Sequence, residues 1–444
     1  MAISNIKKAR MKKLERIRKA GFDPYPIKTK RTHSIEEALA SFDRFCRART
    51  KLFLVGRIIS LREHGGSTFF HFEDGTGKMQ AYLKKDKVGP KDYKFFLENF
   101  DIGDFVELSG KLFKTKRGEE TLEVGRFRIL AKSLLPLPEK WHGLQDVEER
   151  FRKRYLDLIM NSEVREKFRL RSRIVEEIRN ILDDQGFLEV ETPVLQPIPG
   201  GALAKPFKTH LNALNLDLYL RVSPELYLKR LLVGGFEKVY EIGRCFRNEG
   251  MDKHHNPDFT MLEFYWAYQD RDGLMKFVEK IMIDLVKRIK GTDQITYEGK
   301  KISFKTPWKR VKFSKVDFEK DKAKMIQPTF VVDHPAKLAI LAKAKKEDKK
   351  TADRFQLIVG GIELINGFSE LNDPIEQEKR FKTAKIETER KDKDFLEALQ
   401  YGMPPAAGLG MGIDRLVALL TDSHSLRESI LFPTMRPRKI KNAK

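Results

Sequence analysis

The stretch Asp258-Phe259-Thr260-Met261-Leu262-Glu263-Phe264-Tyr265 decides the fold of the larger, C-terminal part of this chain. Taken as a strand, it places Phe259, Met261, Glu263 and Tyr265 on one face, because successive side chains point to opposite sides. A carboxylate and a phenol on that face suit a binding site, since burying an unpaired Glu263 would cost several kcal/mol. On this stretch alone, core aromatics with one carboxylate at the rim remain the alternative.

Two further segments carry polar residues that suit a nucleotide. The first is Gly243-Arg244-Cys245-Phe246-Arg247-Asn248-Glu249, in which an arginine can bind phosphate bidentately and a glutamate can accept from an adenine amino group. The second is Gly408-Leu409-Gly410-Met411-Gly412-Ile413-Asp414-Arg415, which precedes an apolar helix. It is neither a P-loop nor a dinucleotide fingerprint, because it lacks the Gly-Lys-Ser/Thr ending and its glycines are spaced differently.

The N-terminal part of the chain alternates short apolar segments with turns such as Gly65-Gly66 and Asp74-Gly75. The pattern predicts five strands, with a helix at 91–99 before the fourth; the strands are 53–61, 67–74, 77–84, 104–116 and 120–132. Five strands with a helical interval favour an OB-fold. A small β-barrel without a nucleic-acid role is the alternative.

Composition narrows the class of protein. The chain has 444 residues, enough for two or three domains, and 87 basic against 64 acidic residues give a net charge of +23. This excess suggests a polyanionic partner such as nucleic acid, or simply a highly charged surface. The two cysteines, Cys46 and Cys245, lack CxxC partners, which argues against zinc and fits a reducing cytosol. No apolar run is long enough to span a bilayer, so we expect a cytoplasmic protein without a membrane partner.

Prolines at Leu134-Leu135-Pro136-Leu137-Pro138 mark a boundary, because they stop strands and helices alike. We therefore predict a basic N-terminal helical segment at 1–50, the barrel at 51–135 and a charged linker at 136–160. The remaining residues, 161–444, form a second domain that opens with a helix at 162–184. This domain is long enough to hold the chemistry.

Three segments resemble, in this order, the signature motifs of the class II aminoacyl-tRNA synthetases. Motif 1 is matched by the stretch from Gly186 to Pro193, motif 2 by Phe246-Arg247-Asn248-Glu249 and its loop, and motif 3 by Gly408 to Arg415. The resemblance implies an α+β fold, in which an OB-fold barrel is followed by a mainly antiparallel catalytic sheet flanked by helices. It also implies a homodimer, since motif 1 builds the dimer interface in that family.

Within subclass IIb the chain is most similar to the lysyl-tRNA synthetases, over nearly its whole length. The similarity is carried by residues 151–158, 198–202, 221–227 and 366–373. It implies an ATP-dependent ligase that forms lysyl-adenylate from L-lysine and transfers lysine to the 3′ end of tRNA(Lys), releasing pyrophosphate and AMP. The lysine site implied by the resemblance consists of Gly201, Glu225, Arg247, Glu263, Tyr265, Asn366 and Glu370.

The same resemblance implies the remaining site residues. Arg247 and Arg415 are the expected catalytic residues, and Glu363 is the expected ligand of Mg²⁺. The expected ATP-binding residues are Arg247, Asn248, Glu249, His255, Asn256, Phe259, Glu363, Leu364, Gly412, Ile413, Asp414 and Arg415. In the barrel, Phe69 would stack on an anticodon base, and Gln80 and Arg62 would read base edges. An ordinary barrel surface is the alternative for these three.

Two departures from the family pattern stand out. Gln356 occupies a position where the family usually has a second magnesium-contacting glutamate, so we expect weaker attraction for the cation. The stretch 308–328 is shorter than the helical insertion usually found there.

Three other functions compete with this interpretation. A sister enzyme charging aspartate or asparagine would need a cation where Glu370 and Tyr265 stand. An enzyme that transfers lysine to a protein would usually lack the barrel. A nucleic-acid-binding protein with an inactive synthetase-like domain is disfavoured by Arg247 and Arg415, although Gln356 is in its favour.

Overall fold

The computed structural model describes residues 3–138, 144, 146–253, 255–383 and 392–438. Contacts between residues divide the chain into two compact units, 1–143 and 144–444.

The first unit is built on a closed five-stranded barrel with the strand order β1-β2-β3-β5-β4. The strands form a barrel because apolar side chains alternate along them and fill its interior. On β2, Phe70 and Phe72 point into the barrel, whereas Phe69 and His71 point outward. The strands are β1 (Leu52–His64), β2 (Ser67–Glu73), β3 (Lys78–Lys84), β4 (Phe105–Lys114) and β5 (Glu120–Ala131). The helices are α1 (Ile3–Lys19), α2 (Ile35–Ala40), α3 (Phe42–Arg47), α4 (Lys85–Val88) and α5 (Pro90–Asn99).

The barrel confirms the predicted OB-fold architecture, and every strand end lies within three residues of its predicted position. The largest difference is at β1, which continues to His64 because residues 60–64 pair with β2 in a hairpin. The basic helix α1 also forms where the sequence indicated one, and it packs through Leu14 and Ile17.

The second unit is built on an eight-stranded sheet with the order β14-β15-β16-β17-β18-β11-β10-β6. Its pairs are antiparallel except β14 with β15 and β6 with β10. Two small sheets, β12-β13 and β7-β9-β8, accompany it. The strands are β6 (Leu188–Glu189), β7 (Leu195–Gln196), β8 (Lys208–Leu211), β9 (Leu216–Leu220), β10 (Lys238–Phe246), β11 (Asp258–Ala267), β12 (Gln294–Tyr297), β13 (Lys300–Ser303), β14 (Lys309–Lys312), β15 (Thr329–Val332), β16 (Arg354–Val359), β17 (Ile362–Ser369) and β18 (Ala406–Gly412).

Helices cover one face of this sheet with the main hydrophobic core. Leu262 and Phe264 of β11 point into that core, which leaves Glu263 and Tyr265 on the opposite face. The helices of the unit are α6 (Val147–Arg152), α7 (Arg154–Met160), α8 (Ser162–Asp184), α9 (Glu225–Val233), α10 (Arg271–Lys290), α11 (Phe318–Asp321), α12 (Pro374–Thr383), α13 (Lys393–Gln400), α14 (Ile413–Leu420) and α15 (Leu426–Ser429). Short 3₁₀ turns occur at Asn212–Leu214, Phe313–Lys315, Lys322–Lys324 and Ala336–Leu338.

The region predicted as a linker differs from the prediction in its second half. Residues 147–160 form the helices α6 and α7, and Arg154 is buried there with its guanidinium 2.6 Å from Asp157. The charges that suggested a solvated linker are therefore paired within the fold. The helix predicted at 162–184 has those bounds in the structure.

Candidate active site

The floor of the candidate site is formed by β11, β18 and β17, which lie side by side in the large sheet. Glu263 on β11 faces Gly410 on β18, and Gly410 in turn faces Asn366 on β17. The neighbouring row on the same face consists of Tyr265, Gly408 and Phe368. The polar face predicted for 258–265 is therefore present.

The alternate glycines of β18 keep this floor open. A Cβ on Gly408 would collide with the Tyr265 ring and the Glu370 carboxylate, and one on Gly410 would collide with the Met261 side chain. Side chains on one strand face are spaced by two residues, so an open strip needs glycine at every second position. The glycine run is thus explained by the room that the neighbouring strands require.

Glu263 is the central acid of the predicted lysine site and is 2% exposed. Its carboxylate accepts hydrogen bonds from Ser223 Oγ at 2.7 Å and from the Tyr265 hydroxyl at 3.1 Å. Burial raises the pKa of Glu263 to about 8, and the nearby Glu225 carboxylate adds to the rise. Gly201, at φ +85°, lies against Ser223 and Glu225, where a Cβ would not fit.

A buried cation joins the other two acids of this site. Glu225 opens α9, and Lys229 follows one turn later, with its Nζ 2.6 Å from Glu225 Oε1. The same Nζ lies 2.5 Å from Glu370 Oε2, just beyond the end of β17. Burial raises the pKa of Glu370 to about 8, although Lys229 lowers it. The predicted lysine site therefore contains three buried carboxylates.

Two cavities of about 300 and 260 Å³ lie on this face, and both are lined by Arg247 and Asn366. The first is also lined by Gly201 and Glu225 of the predicted lysine site. The second contains most of the predicted ATP-binding residues, namely Arg247, Glu249, His255, Asn256, Phe259, Glu363, Leu364, Gly412, Asp414 and Arg415.

The two predicted catalytic arginines lie in the second cavity. The Arg247 guanidinium stacks over the Phe259 ring, 5.0 Å from its centroid. Arg415 donates from Nη1 to the Glu363 carbonyl at 3.0 Å, and its Nη2 lies 3.4 Å from His255 Nε2. Phosphate oxygens could meet both guanidinium groups here.

Two predicted ATP-binding residues lie outside both cavities, and a third lines the second cavity but is engaged by the protein itself. Ile413 is fully buried in the main hydrophobic core, so only its backbone is available to a nucleotide. Asn248 is exposed, and its backbone N–H donates to the Lys205 carbonyl at 2.7 Å. The Asp414 carboxylate accepts from the Thr260 N–H at 2.8 Å and pairs with Arg171 at 2.7 Å, so it braces the cavity wall.

Gln356 lies on the floor side of the sheet, opposite Asn366, but its amide oxygen is already occupied. His334 Nε2 donates to Gln356 Oε1 at 2.8 Å, and both side chains are buried. Burial and the nearby Arg354 charge lower the pKa of His334 to about 4, so the imidazole is neutral at pH 7. The oxygen considered as a weak magnesium ligand is therefore held by a histidine.

The acidic residues fit a cation that arrives with ATP. Glu363 lines the nucleotide cavity, whereas no group of three or more His, Cys, Asp or Glu in the described part of the chain could hold a metal ion. Protein-bound Mg²⁺ commonly has one or two carboxylate ligands, and substrate phosphates supply others. The described residues thus suit a phosphate-bound Mg²⁺ contacted by Glu363.

The three predicted anticodon residues lie on the outer face of β1, β2 and β3. Phe69 stacks on Tyr82 of β3, with ring centroids 4.6 Å apart, and Arg62 is its exposed neighbour on β1. Gln80 is less free than predicted, because its amide donates to Glu119 at 2.7 Å and accepts from Thr121 at 2.9 Å.

Sequence reasoning missed several residues of these sites. Lys229 and Ser223 contact the acids of the lysine site, and Arg354 Nε donates to Asn366 Oδ1 at 2.7 Å. The i, i+4 spacing of Glu225 and Lys229 was the available signal, because it places them on one helix face. Tyr82 and Glu119 had no local signal, since their roles depend on pairing across the barrel.

Comparisons with known proteins agree with this geometry. Residues 146–436 match the family model of tRNA synthetases class II (D, K and N), and residues 53–135 match that of the OB-fold nucleic acid binding domain. Curated lysine–tRNA ligases are similar throughout. The one from Carboxydothermus hydrogenoformans is 48% identical over 98% of this chain and 99% of its own length. Those from Pelotomaculum thermopropionicum and Thermotoga maritima are 46% and 42% identical, over 98% of this chain and 96% and 97% of their own lengths.

The alignment with the Carboxydothermus protein extends over 486 positions, more than the 444 residues of this chain, so this chain has deletions relative to that protein. A shorter connection at 308–328 is compatible with this, since β14, α11 and two 3₁₀ turns occupy it. Both units nevertheless match their family models. This chain therefore belongs to the class II tRNA synthetases (D, K and N), and within them to the family of the lysine–tRNA ligases.

Proposed function

We propose that this chain activates L-lysine with ATP and then transfers it to tRNA(Lys), with the acidic pocket selecting lysine. The observation that carries the proposal is the cluster of three buried carboxylates, Glu225, Glu263 and Glu370. Glu225 lines the first cavity, which shares Arg247 with the second. Buried acids with raised pKa values favour a ligand that brings positive charge. Lysine brings two ammonium groups.

In the first step the lysine carboxylate attacks the α-phosphorus of ATP, and pyrophosphate leaves. The carboxylate is already ionised, so positioning and charge stabilisation carry the catalysis and no general base is required. Arg247 lines both cavities, and we assign to it the lysine carboxylate and the α-phosphate. Arg415, with His255 beside it, would hold the far phosphates.

Lysine selection would follow from the arrangement of the acids. We assign Glu370 and Tyr265 to the ε-ammonium, and Glu225, Glu263 and Gly201 to the α-ammonium. Glu370 Oε1 is buried and has no hydrogen-bond partner among the described residues, which leaves it available to a bound cation. An aspartate side chain would instead bring a further negative charge to these acids.

The proposal includes Mg²⁺, with Glu363 as its ligand from this chain. When bound, the ion would neutralise phosphate charge as pyrophosphate departs. The residues of this chain would orient the nucleotide, with Phe259 stacked on the adenine and Glu249 accepting from its amino group.

In the second step the terminal ribose hydroxyl of the tRNA attacks the carbonyl of the adenylate, and AMP leaves. We assign recognition of the anticodon to Phe69, Arg62 and Gln80. The stacked pair of Phe69 and Tyr82 supports this assignment, because aromatic platforms bind unpaired bases.

We also propose a homodimer through the edge strand β6. This strand ends the large sheet, and the segment around it exposes apolar side chains, with Leu188 48%, Val194 41% and Leu195 46% exposed. An isologous contact would bury these side chains on both protomers, because each protomer contributes the same surface. Light scattering at micromolar concentration should give twice the chain mass, and a fully active monomer would contradict the assembly.

Pyrophosphate exchange with each amino acid in turn tests the main proposal, followed by charging of total tRNA. We expect exchange with lysine and not with aspartate or asparagine, and then acceptance of lysine by tRNA. Exchange without tRNA charging would favour transfer to a protein instead. No exchange with any amino acid would favour a binding protein with an inactive synthetase domain.

Among the described residues, no helix is both long enough and apolar enough to cross a membrane.

A further inference from the structure

Lys229 is a fully buried lysine whose charge is held between two acids. Its side chain is 0% exposed, and its Nζ is 2.6 Å from Glu225 and 2.5 Å from Glu370. The rings of Phe368 and Tyr265 lie 5.4 and 5.9 Å from the same nitrogen. Burial opposes the charge, but the two carboxylates outweigh it and hold the pKa of Lys229 above its ordinary value. Lys229 therefore stays an ammonium.

The position of Lys229 divides the oxygens of Glu370 between two tasks. Oε2 faces the Lys229 ammonium, whereas Oε1 is directed towards the open strip at Gly408. Neither oxygen accepts a hydrogen bond of good geometry in the described part of the chain, but only Oε2 has the Lys229 ammonium beside it, at 2.5 Å. An unpartnered buried carboxylate oxygen is costly unless a ligand completes it. One oxygen is thus fixed by the protein and the other is left for a ligand.

The charges around Lys229 leave room for two more cations. Three buried acids, Glu225, Glu263 and Glu370, stand against one buried ammonium. The guanidinium groups of Arg354 and Arg247 also influence Glu225 and Glu263, but Arg354 donates to Asn366 and Arg247 lines the nucleotide cavity. With all three acids ionised, the carboxylates exceed Lys229 by two charges. The α- and ε-ammonium groups of lysine supply two.

We propose that Lys229 is a positioning residue for substrate lysine, which fixes the Glu225 and Glu370 carboxylates and so directs Glu370 Oε1 to a substrate ammonium. It acts through these two acids and does not itself contact the substrate. Its positive charge also neutralises the one carboxylate that the two ammonium groups of substrate lysine leave unpaired. The charges of the pocket are therefore balanced only by a ligand with two ammonium groups. The inference rests on the proposed function of the site.

Lys229→Met tests this role, because methionine fills similar space without charge. In pyrophosphate exchange at pH 7 we expect the lysine KM to rise about 10- to 100-fold, the range for a lost charged hydrogen bond, while the ATP KM stays within about twofold. Arg230→Met is the matched control. It removes a cation from the next position of the same helix, where Arg230 pairs with Asp392 and Asp394, and should leave the lysine KM unchanged.

The pH dependence separates positioning from a purely structural role. Lys229 lowers the pKa of Glu225 and Glu370, so its removal should leave more of these acids protonated. The other groups that influence this cluster are Glu263 and Tyr265 on β11, Arg354 on β16 and Arg247, and all remain in the variant. The loss should therefore be largest near pH 7 and shrink towards pH 9. A loss of equal size at every pH would overturn the proposal.

A second variant tests the same role in case the Lys229→Met protein does not fold. Lys229→Gln keeps N–H donors but removes the charge, and the same pH-dependent rise in lysine KM is expected. Combining either variant with Glu370→Gln should cost less than the sum of the two single losses, because both act on one contact. Exchange with lysine in the unaltered protein tests the proposed function separately. If it occurs and both Lys229 variants retain the original lysine KM, only this inference fails.

Discussion

Glu370 is the single residue on which lysine selection should depend most. Glu370→Gln removes the charge that faces the ε-ammonium but keeps the side-chain shape. We expect the lysine KM to rise about 10- to 100-fold, corresponding to roughly 1.5–3 kcal/mol, with little change in the ATP KM. Pyrophosphate exchange measures both constants. Glu376→Gln, which removes an exposed acid paired with Arg380, is the control, and an unchanged lysine KM in Glu370→Gln would refute the assignment.

Gln356 allows a test of the magnesium site at the scale of one side chain. In Gln356→Glu the new carboxylate would lie beside His334 Nε2, which donates to the present amide oxygen at 2.8 Å. We expect an ion pair that raises the pKa of His334 from about 4 and absorbs the added charge. Histidine NMR titration should detect this shift, while the magnesium requirement of pyrophosphate exchange should stay the same. A lower requirement would instead mean that the carboxylate reaches the metal.

Single residues also show which features of the site could be predicted from the sequence and which could not. Strand alternation sufficed to place Glu263 and Tyr265 on one polar face, because it is a local property of the backbone. The contact between Lys229 and Glu370 joins residues 141 positions apart, so no local pattern indicated it. The motif predicts Ile413 at the nucleotide, but Ile413 is the first residue of α14 and its side chain packs in the core.

Strand β18 should be sensitive to any side chain at Gly408. In Gly408→Ala the new Cβ would collide with the Tyr265 ring and the Glu370 carboxylate. Overpacking of this kind costs about 1–3 kcal/mol, and here the strain falls on the lysine site. We expect a lower melting temperature and a larger proportional loss of lysine exchange than of ATP affinity. Gly75→Ala, whose Cβ would meet no atom within 4 Å, should change neither.

The outer face of the barrel can be tested apart from the chemistry. Phe69→Ala removes one ring of the stacked pair with Tyr82. We expect the binding free energy of tRNA(Lys) to weaken by about 1–3 kcal/mol, which lowers the rate of tRNA charging, while lysyl-adenylate formation remains intact. Phe53→Ala is the matched control, because its half-buried ring lies on the part of β1 that pairs with β4. Equal losses in both assays would mean that Phe69 is only structural.

Elements were predictable where their signals are local. The helix 162–184 and the five barrel strands follow from apolar periodicity bounded by turn residues, and the structure has them within three residues. The highly charged sequence of α6 and α7 predicts a linker, whereas the structure forms helices there. Many of those charges pair with each other, as Arg154 does with Asp157. Arg154 also donates to the Leu431 and Arg427 carbonyls, and periodicity carries no information about such distant partners.

At the scale of the whole molecule, the basic excess and the acidic pocket serve different ligands. The net charge of +23 suits a polyanionic tRNA, and its attraction acts over long range. The buried acids Glu225, Glu263 and Glu370 act at contact distance, where low dielectric strengthens every charge. Composition predicted the first property, whereas the second depends on three segments that meet only in the folded sheet.

The acids of the lysine site should couple the stability of the whole protein to pH and to lysine. The folded protein raises the pKa of Glu263 and Glu370 from 4.5 to about 8, so it binds their protons more tightly than the unfolded chain does. Their contribution to stability is therefore fully present below pH 4.5 and is lost as the pH rises through about 8. Bound lysine should oppose this loss, because its ammonium groups favour the ionised acids.

We therefore expect the rise in melting temperature caused by saturating lysine to increase between pH 6 and pH 8. Melting curves with and without lysine at constant ionic strength measure it, and the difference between them cancels titrating groups elsewhere in the protein. Norleucine, which lacks the ε-ammonium, should produce a smaller rise with a weaker pH dependence. In Glu370→Gln the pH dependence with lysine should also weaken, because one of the two titrating acids is gone. A lysine-induced rise that is the same at every pH would show that these carboxylates are ionised before lysine binds.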